Sequence, residues 1–206
     1  MSLQQWRFTS SYVVMPRENV DTDQIIPARF LTTTDRFGLG PHAFNDWRYR
    51  ADGSPDPAFV LNGDVARGAQ VLVAGHNFGC GSSREHAVWA LAGAGFRAVV
   101  STEFADIFRG NALGNGLLPI VVSAAVLELL MASQTPDAQV TVNLETRTFT
   151  LPGGDAVPFA VPPFSRYCLL HDTNEMSFLL DADGDIAAYE SLHPATIDTV
   201  ALESMT

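Results

Sequence analysis

Lysine is absent from this chain of 206 residues, in which all twelve basic side chains are arginines. Schiff-base chemistry and the lysine-bearing phosphate loop are therefore excluded from its repertoire. Cysteine is scarce as well. Cys80 and Cys168 are too few to ligate an iron-sulfur cluster and lack the spacing of a zinc site, so no metal-ligand set is expected. Positive charge is in deficit: the net charge of -11 argues against nucleic acid, which needs a basic face. It also opposes long-range attraction of an anionic substrate, so any carboxylate site must rely on local donors or on a partner's field. Long apolar runs are missing too. The longest, Leu117 to Ala132, contains Pro119, Ser123 and Glu128, and the N-terminus has no basic stretch leading into an apolar one. No membrane span or secretion signal is visible, and a cytoplasmic location is the default expectation. What remains is 47% hydrophobic and 17% charged residues without repeats, as expected for one globular domain over 1–206.

The most informative stretch is Val71 to Gly95, VLVAGHNFGCGSSREHAVWALAGAG. An apolar run, Val71 to Gly75, reads as a strand. A glycine-punctuated loop follows from His76 to Gly81, then a helix that starts at the Ser82-Ser83 pair and stops at Gly93 and Gly95. A strand that feeds such a loop into a helix N-terminus gathers unpaired backbone N-H groups beside the positive end of the helix dipole, and so favours an anion. Gly79 and Gly81 let a ligand approach the backbone closely. Arg84, expected one or two residues inside the helix, is unfavourable for the dipole but well placed to fork onto a carboxylate or phosphate. Ser82-Ser83-Arg84-Glu85 also fits a capping box, in which serine and glutamate merely close the helix end. In that reading the pattern is structural.

The loop NFGCGSSREHA, Asn77 to Ala87, resembles the signature loop of 3-isopropylmalate dehydratase small subunits, and is similar to the corresponding loop in the mobile domain of aconitases. NVDTDQIIP (Asn19 to Pro27) and FGLGPHAFNDWR (Phe37 to Arg48) resemble the same family. The likeness runs from about Val13 to Glu190. It implies the β/β/α swivelling domain of the aconitase superfamily and a hydro-lyase of leucine biosynthesis that interconverts 2- and 3-isopropylmalate by dehydration and rehydration. It further implies a large-subunit partner that carries a [4Fe-4S] cluster, none being bound by this chain. Carried over residue by residue, it makes Ser82 the general base. Ser83, Arg84, Gly81, Thr22 and Asp23 become substrate-binding candidates, with Arg84 as the carboxylate clamp. Arg29, Arg36 and His42 are candidate contacts from an aromatic-rich segment, about 29–60, read as an ordered flap. The sequence departs from its relatives at His76, where an acid is common, and over His171 to Phe178. Those departures leave open a related hydroxy diacid such as a methylmalate or dimethylmalate. Two other readings stand beside the hydro-lyase: Cys80 as a nucleophile with His76 or His86 as its base, and a non-catalytic anion-binding module.

Elsewhere the pattern predicts an α/β fold. Trp6 to Met15 reads as a strand or strand pair. Strand-helix alternation from Phe96 to Ser133 implies parallel pairing with right-handed crossovers. From Gln139 the alternating runs and the Gly153-Gly154-Asp155 turn imply a small antiparallel layer, and helix returns from about 163 to the C-terminus.

Overall fold

The computed structural model describes residues 6–32 and 35–193. Contacts divide it into two compact units, one ending at His171 and the other beginning at Asp172. The α/β class expected is found. In the first unit, seven strands are hydrogen-bonded in the order β4 (Leu118–Val121), β3 (Ala98–Ser101), β2 (Val71–Ala74), β1 (Arg7–Met15), β5 (Gln139–Asn143), β6 (Thr148–Thr150), β7 (Ala156–Pro158). Strand β1 belongs to both halves. Its first residues pair antiparallel with β5, from Arg7 against Asn143 to Ser11 against Gln139, while Tyr12 to Met15 run parallel to Val71 to Ala74. The change of partner follows a change of pattern: Arg7 to Ser11 alternate in burial, whereas Tyr12 to Met15 are buried without a break, as a strand covered on both faces requires.

Successive residues of a strand point to opposite faces, and the parallel strands use this to build two cores. Met15, Leu72, Ala74 and Val99 join one cluster with helix α3 (Glu85–Gly93). Val14, Val71, Val73 and Val100 join the other, with helix α5 (Ala124–Ala132) and the antiparallel strands. Helix α4 (Asp106–Gly114) contributes Phe108 to the first and Leu113 to the second. The parallel strands thus pack against α3 on one face and against α5 and the antiparallel strands on the other.

Three features bear on the site. Helix α3 begins at Glu85, three residues after Ser82, with Arg84 as its N-cap. The segment read as a flap is anchored in the core: Phe44 is fully buried, donates its N-H to the Ile25 carbonyl at 2.7 Å, and packs with Trp47 and Phe59. Burying a side chain of that size stabilises by about 1.5–3 kcal/mol, which ties the segment down. The helical stretch expected from about 163 is α6 (Pro163–His171) in the first unit, followed by α7 (Glu175–Asp181) and α8 (Asp183–Leu192) in the second. Among the departing residues, Asn174 caps α7 by accepting from the Ser177 N-H at 2.8 Å. Residues 194–206, within the predicted C-terminal helical segment, lie outside the described residues. Among the described residues no helix is long and apolar enough to cross a membrane.

Candidate active site

The loop after β2 is fixed from below before it turns outward. Phe78 is fully buried and meets Phe108 edge-on at 5.3 Å between centroids. Its N-H donates to the Glu103 carbonyl, and its own carbonyl accepts from Ala105. Beyond it the chain must swing sharply. Gly79 adopts φ +78° with Phe108 so close that a Cβ would lie 2.2 Å from its ring; Gly81 adopts φ +88°, where a Cβ would fall 2.1 Å from an Asp21 carboxylate oxygen. No residue with a side chain fits either place without displacing that neighbour.

The second motif, Asn19 to Pro27, lies along this loop. The Asn19 N-H donates to His76 O at 2.8 Å, Gly79 N-H to Val20 O at 2.8 Å, and Thr22 N-H to Cys80 O at 2.8 Å. Asn19 and Asn77, both at positive φ, join side chains at 2.9 Å. Asp21 caps the short helix α1 (Thr22–Ile25) in a capping box with Gln24. The Thr22 hydroxyl donates to the Ser82 carbonyl at 2.9 Å. Two stretches about sixty residues apart are thereby molded into one surface.

On that surface the structure brings together Thr22, Asp23, Gly81, Ser82, Ser83 and Arg84. Both serines are exposed, and neither hydroxyl caps α3, so the capping-box reading of Ser82 and Glu85 does not hold. The physical reason is that Arg84 keeps extended backbone angles, φ -114° and ψ 113°, and donates its N-H back to Ser82 O at 2.9 Å. The N-H groups of Ser82, Ser83 and Glu85 have no backbone acceptor among the described residues. They are donors left for a ligand or water at the helix entry. Arg84, with a side chain 23% exposed, forms an ion pair through Nη1 with Asp23 Oδ1, which leaves Nε and Nη2 for a two-pronged contact. Thr22 differs from the expectation of a ligand contact. At 1% exposure its side chain is buried, and its hydroxyl is engaged by Ser82.

The three residues expected from the 29–60 segment have partners within that segment. Arg29 is paired with Asp46 and donates to Asn45 at 2.7 Å; the guanidinium bond holds the Asp46 carboxyl below its ordinary pKa. His42 stacks on Phe30 at 4.1 Å. Both line an open cavity of about 700 Å³ that none of Ser82, Ser83 or Arg84 lines. Arg36 lies over the Phe37 ring at 5.5 Å.

Burial, together with the negative charge of Asp21, raises the Cys80 thiol pKa above its ordinary value. A nucleophilic cysteine needs the opposite shift. His76 is held at 3.2 Å by Thr102 and at 3.4 Å by Glu103. Cys80→Ser is accordingly expected to retain most of the turnover of the assembled enzyme, as steady-state rates with and without the substitution will show; an inactive variant would restore the thiol reading.

Sequence reasoning missed Asn19 and Ser101. Ser101 is fully buried, with its hydroxyl within hydrogen-bond distance of Gly75 O at 2.6 Å and Glu103 O at 2.8 Å, which fixes both ends of the loop's base. Asn19 alone carried a signal, since asparagine tolerates positive φ.

A loop of this build, set at the end of a parallel strand and braced by a Thr-Asp turn, defines a class. The family model described as aconitase C-terminal domain matches residues 9–125, and LeuD_N matches 128–163. The 3-isopropylmalate dehydratase small subunit of Anaeromyxobacter dehalogenans (strain 2CP-C) is 60% identical over 88% of this chain and 94% of its own length. That of Chloroflexus aurantiacus (strain ATCC 29366 / DSM 635 / J-10-fl) is 53% identical over 93% and 96%. A crystal structure of 3-isopropylmalate dehydratase from Methanocaldococcus jannaschii superimposes with a TM-score of 0.64 at 25% identity, covering 89% of this chain and 99% of that one. The chain belongs to the aconitase C-terminal domain family and, within it, to the 3-isopropylmalate dehydratase small subunits.

Proposed function

We propose that this chain is the small subunit of a hydro-lyase that interconverts 2- and 3-isopropylmalate in leucine biosynthesis, in the cytoplasm, together with a large subunit. The observation that carries the reading is the exposed Ser82 beside Arg84, where the N-H groups of Ser82, Ser83 and Glu85 have no backbone acceptor among the described residues. Dehydration removes a weakly acidic proton from a carbon beside a carboxylate and expels the hydroxyl. Ser82, as an alkoxide steadied by the loop amides and the N-terminus of α3, takes that proton. Arg84 forks onto a substrate carboxylate, Ser83 adds a hydroxyl contact, and Gly81 lets the ligand come close to the backbone.

The donor set of the chain does not fit a [4Fe-4S] cluster. It has two cysteines, and no group of three His, Cys, Asp or Glu that could hold a metal occurs among the described residues. The cluster is assigned to the large subunit. Iron analysis of the purified chain is expected to find no stoichiometric iron, and stoichiometric iron without a partner would overturn the two-subunit arrangement.

The test of function is anaerobic reconstitution with the large subunit of the same organism, following the ultraviolet absorbance of the unsaturated product. Isopropylmalate is expected to turn over faster than methylmalate or dimethylmalate. A rate at background with isopropylmalate, against turnover of another acid, would reassign the substrate.

A further inference from the structure

We propose that Thr22 is a positioning residue for the reaction, acting on Ser82 through the Ser82 carbonyl and touching no substrate. The proposal rests on the reading of Ser82 as base. Ser82 stands at an exposed point of the chain, after Gly81 at φ +88° and before the first turn of α3. No ladder or helical bond of its own holds it there.

Its carbonyl accepts two hydrogen bonds of different kind. One comes from the N-H of Arg84 at 2.9 Å, two residues on, and moves with the loop. The other comes from Thr22 Oγ1 at 2.9 Å, on an element anchored elsewhere. Thr22 is itself held: the residue is 1% exposed, its N-H is bound to Cys80 O, and its carbonyl accepts from Ile26. The hydroxyl therefore ties the Ser82 peptide to the body of the domain. With that peptide held, the direction of the Ser82 Cα-Cβ bond is set, and only rotation about χ1 remains to place Oγ. An ångström of misplacement at a reacting group costs about a hundredfold in rate, so this one bond has leverage on catalysis far beyond its stability.

The loss is separable from folding. Valine reproduces the shape of threonine without the donor, and Ser82 O keeps its bond from Arg84, so no buried carbonyl is orphaned. In the reconstituted enzyme, Thr22→Val is expected to lower kcat by about tenfold to a hundredfold with KM within about twofold. Thr22→Ser, which keeps the donor and loses the methyl, is expected to return kcat to within about threefold of the original. The order of melting temperatures of the full chain should be the reverse, with the serine variant lower because it loses buried methyl packing. If the valine chain does not fold, Thr22→Ser against Thr22→Ala makes the same comparison, since both lose the methyl and only serine keeps the donor. A valine variant with unchanged kcat, a serine variant as slow as valine, or a rise in KM at unchanged kcat each overturns the proposal, the last by making Thr22 a ligand contact. An active Ser82→Ala enzyme overturns the base assignment itself. An inactive Ser82→Ala with a fully active Thr22→Val overturns the positioning role alone.

Discussion

Ser82→Ala is expected to bring turnover of the reconstituted enzyme down to background while the chain folds and melts almost as before. The two halves of this result rest on different observations. Removal of a positioned general base costs about a hundredfold to ten-thousandfold. Stability, by contrast, has little at stake. A serine that capped α3 would lose about 0.5–2 kcal/mol on replacement by alanine, but α3 takes no side-chain cap and the Ser82 hydroxyl is exposed. The measurement is kcat on isopropylmalate beside a thermal melt of the same preparation. A melt several degrees lower with turnover intact would make Ser82 a structural residue. A variant retaining most of its turnover would move the base to another group.

The parts of this site that were legible in the sequence are those written locally. The run Val71 to Ala74, the glycines of the loop and the apolar spacing of Ala87, Val88 and Leu91 specify strand, turn and helix from neighbours alone. Even the double membership of β1 is foreshadowed, since Trp6 and Phe8 alternate before Tyr12 to Met15 run apolar. The start of α3 was misread for an instructive reason. Ser82 and Glu85 have the spacing of a capping box, and in an isolated peptide that local preference would decide. In the folded chain Thr22 holds the Ser82 carbonyl and Asp23 holds the Arg84 side chain, so tertiary contacts keep residues 82–84 out of the helix. Nothing in a local pattern announces that Asn19 will meet His76 or Thr22 will meet Ser82, because those pairings are set by the parallel register of β1 on β2. The 29–60 segment is legible only in part, on similar grounds. Its glycines and prolines indicate irregular chain, but whether Phe44 and Trp47 face inward depends on the floor formed by α1 and α3.

Arg84→Lys is expected to be nearly as damaging as Arg84→Ala, which separates a clamp from a generic positive charge. The guanidinium is planar and offers its donors in a fixed fork, so one edge can hold Asp23 while Nε and Nη2 address a substrate carboxylate. Nη1 is the atom that meets Asp23 in this structure. A lysine ammonium is a point charge without that division of labour. Drawn to the nearest carboxylate, it would settle on Asp23, whose side chain is 48% exposed, and turn no defined edge toward the substrate. The site thus contains a competitor for any cation placed at position 84, and only a two-edged cation serves both partners at once. Hydrogen bonds to charged groups contribute about 1.5–3 kcal/mol each, so the loss of a bidentate pair corresponds to about a hundredfold or more in kcat/KM. Steady-state kinetics of the lysine and alanine variants with the large subunit decide the matter. Should the lysine enzyme keep most of its kcat/KM, Arg84 is a source of field alone, and the carboxylate fork passes to another arginine. Arg29 would then have to leave Asp46, and Arg36 its place over Phe37, to supply it.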